Sequence, residues 1–214
     1  MADHETGVHL LASHVPLAPM RALANVDMTV TAGCHAVIGA NGAGKSTLLR
    51  ALAAVRLDGV DSLIWDGRNA QTMSISERIS VRAAILADDR PVFALSCAEF
   101  VSIAVRQSRH HHRQNIALQH LDSLGIASLA GQDVRTLSAG EWAWARLAQA
   151  SASEPSVLIL DELDAAVDAS ARVRLYASAR LIAATVIAVS HDVGSVSQWA
   201  DSVWEIIDET VVHK

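Results

Sequence analysis

The sequence predicts an α/β protein: a buried parallel sheet with a strand-rich N-terminal layer and an inserted helical region. Three observations lead there. Two short β-branched runs, "VLILDE" at 157–162 and "TVIAVSHD" at 185–192, are continuously apolar until they end in polar residues, the pattern of strands covered on both faces. The first forty residues alternate weakly between apolar and polar, as half-buried strands do. From about Asp89 to Ala152 the segments "CAEFVSIAVRQ", "HRQNIALQHLDSL" and "EWAWARLAQASA" read as helices.

In chain order, "GVHLLA", "VDMTV" and "HAVIGA" are the candidate strands of the N-terminal layer, and the Pro-containing "SHVPLAPM" is expected to be a loop between them. "HAVIGA" runs into "GANGAGKST", which matches G-x-x-x-x-G-K-[ST] with Gly39, Gly44, Lys45 and Ser46 at the required offsets. A helix is expected from Ser46 to about Val55, with Leu48, Leu49 and Leu52 on one face. Strand, Gly-rich loop and helix together form a phosphate-binding unit. Small residues let successive amides turn inward around phosphate oxygens, and the helix presents its positive end to them. The candidate nucleotide contacts are therefore Gly39, Ala40, Asn41, Gly42, Ala43, Gly44, Lys45, Ser46 and Thr47. Lys45 is expected to reach the β- and γ-phosphates, and the Ser46 hydroxyl to ligate Mg²⁺.

Further on, four apolar residues of "VLILDE" deliver two acids at a strand end, where ligands of open α/β sheets are met. Asp161 is expected to hold Mg²⁺ and Glu162 to orient or deprotonate the attacking water.

Composition narrows the classes. With 51% hydrophobic and 19% charged residues, the chain is globular rather than disordered, and its formal charge of -6 argues against a nucleic-acid partner. The two cysteines, Cys34 and Cys97, lack metal-ligand spacing, and "MADHETG" has neither a basic nor an apolar leader region. The longest nearly apolar run, "LIAATVIAV", is about half of the ~20 residues a membrane-spanning helix needs. "RHHHR" at 109–113 raises the idea of a metal site, which is disfavoured because adjacent histidines point in different directions and no Cys or acidic cluster joins them.

"LSAGE", at 137–141 just ahead of the acid strand, resembles the signature sequence of ATP-binding cassette ATPases. With the phosphate loop, the acid strand and "SHD" at 190–192 in the same order, the resemblance covers nearly the whole chain. It implies a P-loop NTPase with a RecA-like core and an antiparallel β layer in residues 1–88 and 153–214, and an inserted helical subdomain, carrying the signature, in residues 89–152. It also implies that Ser138 and Gly140 contact the γ-phosphate bound by a second such subunit, and that His191 is a switch histidine touching that phosphate beside the catalytic Glu162. Asp168, ending "DELDAAVD", then falls on the loop that crosses the dimer interface. Leu163, Asp164 and Ala165 depart there from the family's Pro-Thr-Ser.

Two further departures stand out. Asp88 occupies the place of a Gln that touches Mg²⁺ and links nucleotide to the membrane partner. The aromatic that stacks on adenine is missing, and His14 and its neighbours in "SHVPLAP" are the nearest candidates by position. Trp142 and Trp144, two apart on one helix, do not share a face and are expected to pack in the core or on a partner.

The resemblance thus implies an ATP-hydrolysing transporter subunit using ATP and Mg²⁺. It would pair head to tail with a second ATPase subunit, act on separate transmembrane permease subunits, and sit on the cytoplasmic face of the membrane. A soluble ATPase of cofactor assembly and a weakly hydrolysing regulatory subunit are the alternatives. Substrate and direction of transport stay open at this level.

Overall fold

The computed structural model describes residues 6–18, 21–86, 90–106, 110–190 and 193–214. Its elements are β1 (Gly7–Ala18), β2 (Arg21–Thr31), β3 (Gly33–Gly39), α1 (Lys45–Leu52), β4 (Val60–Trp65), β5 (Arg68–Asn69), α2 (Ile75–Val81), β6 (Arg82–Ile85), α3 (Cys97–Ser102), α4 (His110–Ser123), α5 (Ala139–Ala152), β7 (Val157–Asp161), α6 (Ala169–Ile182), β8 (Thr185–Val189), β9 (Ser202–Ile207) and β10 (Thr210–His213).

Two sheets form. An antiparallel one has the order β2-β1-β4-β5, and a larger one has the order β10-β9-β3-β8-β7-β6, parallel from β9 to β6 with β10 antiparallel at its edge. This is the expected α/β class.

The apolar runs are continuous because the larger sheet is covered on both sides, and period-2 alternation divides their residues between two cores. Leu158, Leu160, Val186 and Ala188 pack with Leu147 of α5 and with Leu175 and Tyr176 of α6. Val157, Ile159, Ile187 and Val189 face the other way, onto Leu48, Leu49 and Leu52 of α1 and the inner face of β1 and β2. Those three leucines are fully buried, as their spacing predicts, each worth about 1.5 to 3 kcal/mol. Helix α1 ends at Leu52 rather than near Val55, because Ala54 takes φ 51 and breaks the helical path. Trp65 Nε1 donates to the Leu52 carbonyl at 3.0 Å, satisfying one of the acceptors orphaned there.

One expected loop is strand. "SHVPLAPM" continues β1 through Ala18, paired with β2. Pairing of β1 with β4 stops at Ala12, so Pro16 lies where only one edge of β1 is engaged. A proline without an amide proton is tolerated at such a place, and an irregularity between Pro16 and Ala18 absorbs it. Helices α3, α4 and α5 pack on one another, and Trp142 and Trp144 are both buried. Among the described residues, no helix is long and apolar enough to cross a membrane.

Candidate nucleotide site

Strands β3 and β7 flank β8 and run parallel to it, so Gly39 and Asp161 leave the sheet at the same edge. Beyond β3 the chain turns back through 40–43 and enters α1 at Lys45. Gly44 caps that helix in a left-handed conformation, φ 106. A Cβ there would lie 2.5 Å from Leu17 Cδ2, so glycine is required both by the backbone and by the close approach of β1. Helix α1 has no side-chain cap and no acid in its first turn. Its N-terminal amides and positive dipole end are therefore open to an anion.

Lys45 is 6% exposed, and its Nζ donates to the Gly39 and Ala40 carbonyls at 2.9 and 3.0 Å. The loop thus pins the cation in place with its own backbone.

Burial pushes the Asp161 carboxyl above the usual carboxylate range. A hydrogen bond from Ser46 opposes this, the Glu162 charge adds to it, and Arg50 and Lys45 pull the other way. Asp161 Oδ1 is buried with no hydrogen-bond partner. A bare carboxylate oxygen beside a hydroxyl is an oxygen donor set suited to a hard divalent cation.

Glu162 sits at φ 53, an unfavourable conformation for a side-chain-bearing residue. With Lys45, Ser46 and Thr47 it lines a cavity of about 480 Å³ whose other wall is Leu17 and Arg21. A second cavity of about 650 Å³ runs from Asn41 and Gly42 to Glu205 and Glu209, and Arg21 borders both. Arg21 Nε also lies 2.7 Å from Glu209 Oε1.

The signature lies elsewhere in the chain, and none of its residues lines either cavity. Ser138 is the exposed cap of α5. Its Oγ accepts from the Glu141 amide at 3.2 Å, while Glu141 Oε2 accepts from the Ser138 amide at 2.8 Å and hydroxyl at 2.7 Å, a reciprocal capping box. These Ser138 bonds hold the Glu141 carboxyl below the usual range. Gly140 sits where a Cβ would come 3.3 Å from the Ala166 carbonyl, so the start of α5 abuts the loop after Glu162. Asp168 caps α6, accepting from the Ala171 amide at 2.9 Å and the Ser170 hydroxyl at 2.7 Å. Those bonds lower its carboxyl as well.

The structure therefore brings together Gly44, Lys45, Ser46, Thr47 and Glu162 around one cavity, and holds Ser138, Gly140 and Asp168 apart from it. His14 is exposed on β1 with its imidazole against Gly59 and does not line either cavity; Leu17 and Arg21 do. Asp88 and His191 lie outside the described residues. Of the "SHVPLAP" neighbours Leu17 lines a cavity, whereas sequence reasoning missed Arg21 and Glu209, which meet from positions 188 residues apart and carry no local pattern. It treated Asp164 only as a departure, whereas Asp164 is 2% exposed and paired with Arg172 and Ser190.

A family model described as "ABC transporter" matches residues 23–165. The hemin import ATP-binding protein HmuV of Nocardia farcinica is 34% identical over 191 residues, a match covering 86% of this chain and 66% of that protein. The vitamin B12 import ATP-binding protein BtuD of Photobacterium profundum is 30% identical over 193 residues, covering 83% of this chain and 76% of the relative. Among solved structures, cbiO1 from Clostridium perfringens, part of the ABC transporter complex cbiONQ, superposes with a TM-score of 0.83 at 21% identity, over 97% of this chain and 87% of that one. That likeness speaks to the fold.

Proposed function

The chain belongs to the ABC transporter family as an ATP-binding, ATP-hydrolysing subunit, and from that premise we propose that it powers import of a metal tetrapyrrole through separate membrane permease subunits. The observation that carries the chemistry is the convergence of Lys45, Ser46 and Glu162 on one cavity beside the bare Asp161 Oδ1. The substrate class is supported by two relatives, one named for hemin and one for vitamin B12. Their names also favour transport over cofactor assembly.

In this reading the open amides of α1 and the Lys45 ammonium bind the β- and γ-phosphates of ATP. Ser46 and Asp161 supply the oxygens that hold Mg²⁺, which when bound neutralises the developing phosphate charge. Glu162 orients the attacking water and accepts its proton, its carboxylate fixed by a backbone that the fold keeps strained. Each chain contributes only half of a site, a reading supported by the absence of any signature residue from the lining of its own nucleotide cavity. Two chains pair so that Ser138 and Gly140 of one meet the γ-phosphate held by the other, with Asp168 at the crossing loop. His191 completes the γ-phosphate contacts, and Asp88 carries the link to the permease on the cytoplasmic face of the membrane.

The test has two parts. The chain expressed with its neighbouring membrane protein should co-purify with it from detergent, and the complex in liposomes should move hemin or cobalamin in an ATP-dependent way that Glu162→Gln abolishes. Uptake that persists in Glu162→Gln, or the absence of any co-purifying membrane protein, would overturn the reading.

A further inference from the structure

Arg90 lies outside the nucleotide cavity, yet it is tied to the signature by several contacts. Its Nη1 donates to the Leu137 carbonyl at 2.5 Å, with the Val134 and Arg135 carbonyls at 3.4 Å. Its guanidinium also lies over the Trp142 ring, 5.6 Å from the centroid, one turn into α5. The ring itself is 1% exposed and held by Phe100, centroids 4.8 Å apart, and by Arg146, 5.7 Å away. The chain after Arg90 runs alongside the same turn. The Val134 amide donates to the Leu95 carbonyl at 2.9 Å, Ser96 bridges Asp133, and the Cys97 amide donates to the Gln132 carbonyl at 2.8 Å.

One side chain thus fixes both the last carbonyl before Ser138 and a buried ring of the helix that Ser138 caps. Only a planar guanidinium does both, since a lysine ammonium has neither the fork of donors nor a face to lay on the indole.

We propose that Arg90 is a positioning residue that locks the Val134–Leu137 turn and α5 together, so that Ser138 and Gly140 are held in the place where they meet the partner's γ-phosphate. This inference rests on the head-to-tail reading of the site given above.

The experiment uses the full chain in the Glu162→Gln background, which holds ATP without turnover, and follows ATP-driven dimerisation by light scattering. Binding of a fluorescent ATP analogue reports on the phosphate loop, and kcat and KM are taken in the Glu162 background. Arg90→Ala should weaken ATP-driven dimerisation and lower kcat by tenfold or more. Analogue affinity should stay within twofold, because the cavity that binds it contains no residue from this region. Arg90→Lys, which keeps the stem and the charge, should fold normally and fail to restore dimerisation.

Unchanged dimerisation and kcat in both variants would overturn the proposal, as would rescue by lysine or a parallel loss of analogue affinity, which is the mark of a merely structural role. Ser138→Arg separates the two levels. If it leaves the ATP dimer intact, the head-to-tail reading fails; if it abolishes the dimer while Arg90→Ala does not, only the role of Arg90 fails.

Discussion

The Ser190 hydroxyl donates a 2.7 Å hydrogen bond to Asp164 Oδ2, joining the loop after Glu162 to the end of β8, and both residues are buried at 2% exposure. Arg172 Nε of α6 lies 3.2 Å from the same oxygen. A carboxylate sealed from water is tolerable here because a cation and a hydroxyl face it, and removing one member leaves the others uncompensated. Asp164→Ala is therefore expected to lower stability by about 3 kcal/mol. Asp164→Ala combined with Arg172→Leu should recover part of that loss, and chemical denaturation of the two single variants and the double variant, read as a cycle, checks it.

Glu162 combines its proposed catalytic role with an unfavourable backbone, and the two can be separated. Glu162→Gln should reduce ATP turnover by at least ~100-fold with nucleotide binding retained, the scale of a lost general base. Glu162→Gly should also be inactive, yet about 1 kcal/mol more stable, because glycine accepts φ 53 without strain. Steady-state ATPase assays and thermal melts of the two variants give both results.

If Asp161 holds Mg²⁺ as proposed, the response to that ion depends on pH. Its carboxyl is raised by burial, so the folded state holds its proton more tightly than the unfolded state does, and this group costs stability as pH rises. The cost begins near the ordinary aspartate value, about 4, and is complete above the raised folded value. A divalent cation on Oδ1 offsets it. Stabilisation by Mg²⁺ with nucleotide should therefore grow from pH 5 to pH 7.5, whereas Asp161→Asn should melt higher than the parent at pH 7.5 without ligand and lose the Mg²⁺ response. Melts across that pH range decide it.

Arg21 borders both cavities but contributes little to folding. Its ion pair with Glu209 is exposed on both sides and worth less than about 1 kcal/mol. Arg21→Ala should leave the melting temperature nearly unchanged and raise the Kd for ATP several-fold by isothermal titration.

The legible parts of the sequence were those where one short run carries the physics. The phosphate loop shows because small residues, a lysine and a hydroxyl must be consecutive to wrap a phosphate, and "VLILDE" shows because a strand covered on both faces has no polar residue until it ends. Most of the cavity wall does not show, since Arg21 and Glu209 meet only after two sheets have formed. Asp164 looked like a weak substitution because its partners, Arg172 and Ser190, stand 8 and 26 residues away. Pro16 misled in the other direction: its missing amide proton matters only where a neighbouring strand would use it, and that depends on where β4 stops pairing. Helix α2 passed unnoticed, although Ser74 and Glu77 form a capping box at its start, because seven residues are too few to display a period.

The capping box at Ser138 gives the protein a signature that is finished before ATP arrives. With the first turn of α5 already closed by Glu141, that turn needs little further ordering if, as proposed, a partner's nucleotide docks against it. The same Glu141 carboxylate already holds the Ser138 hydroxyl and amide, so in the proposed dimer a phosphate would have to compete with it for both donors. On that reading the helix cap is a built-in release: once the γ-phosphate is cleaved, the serine has an anion to return to.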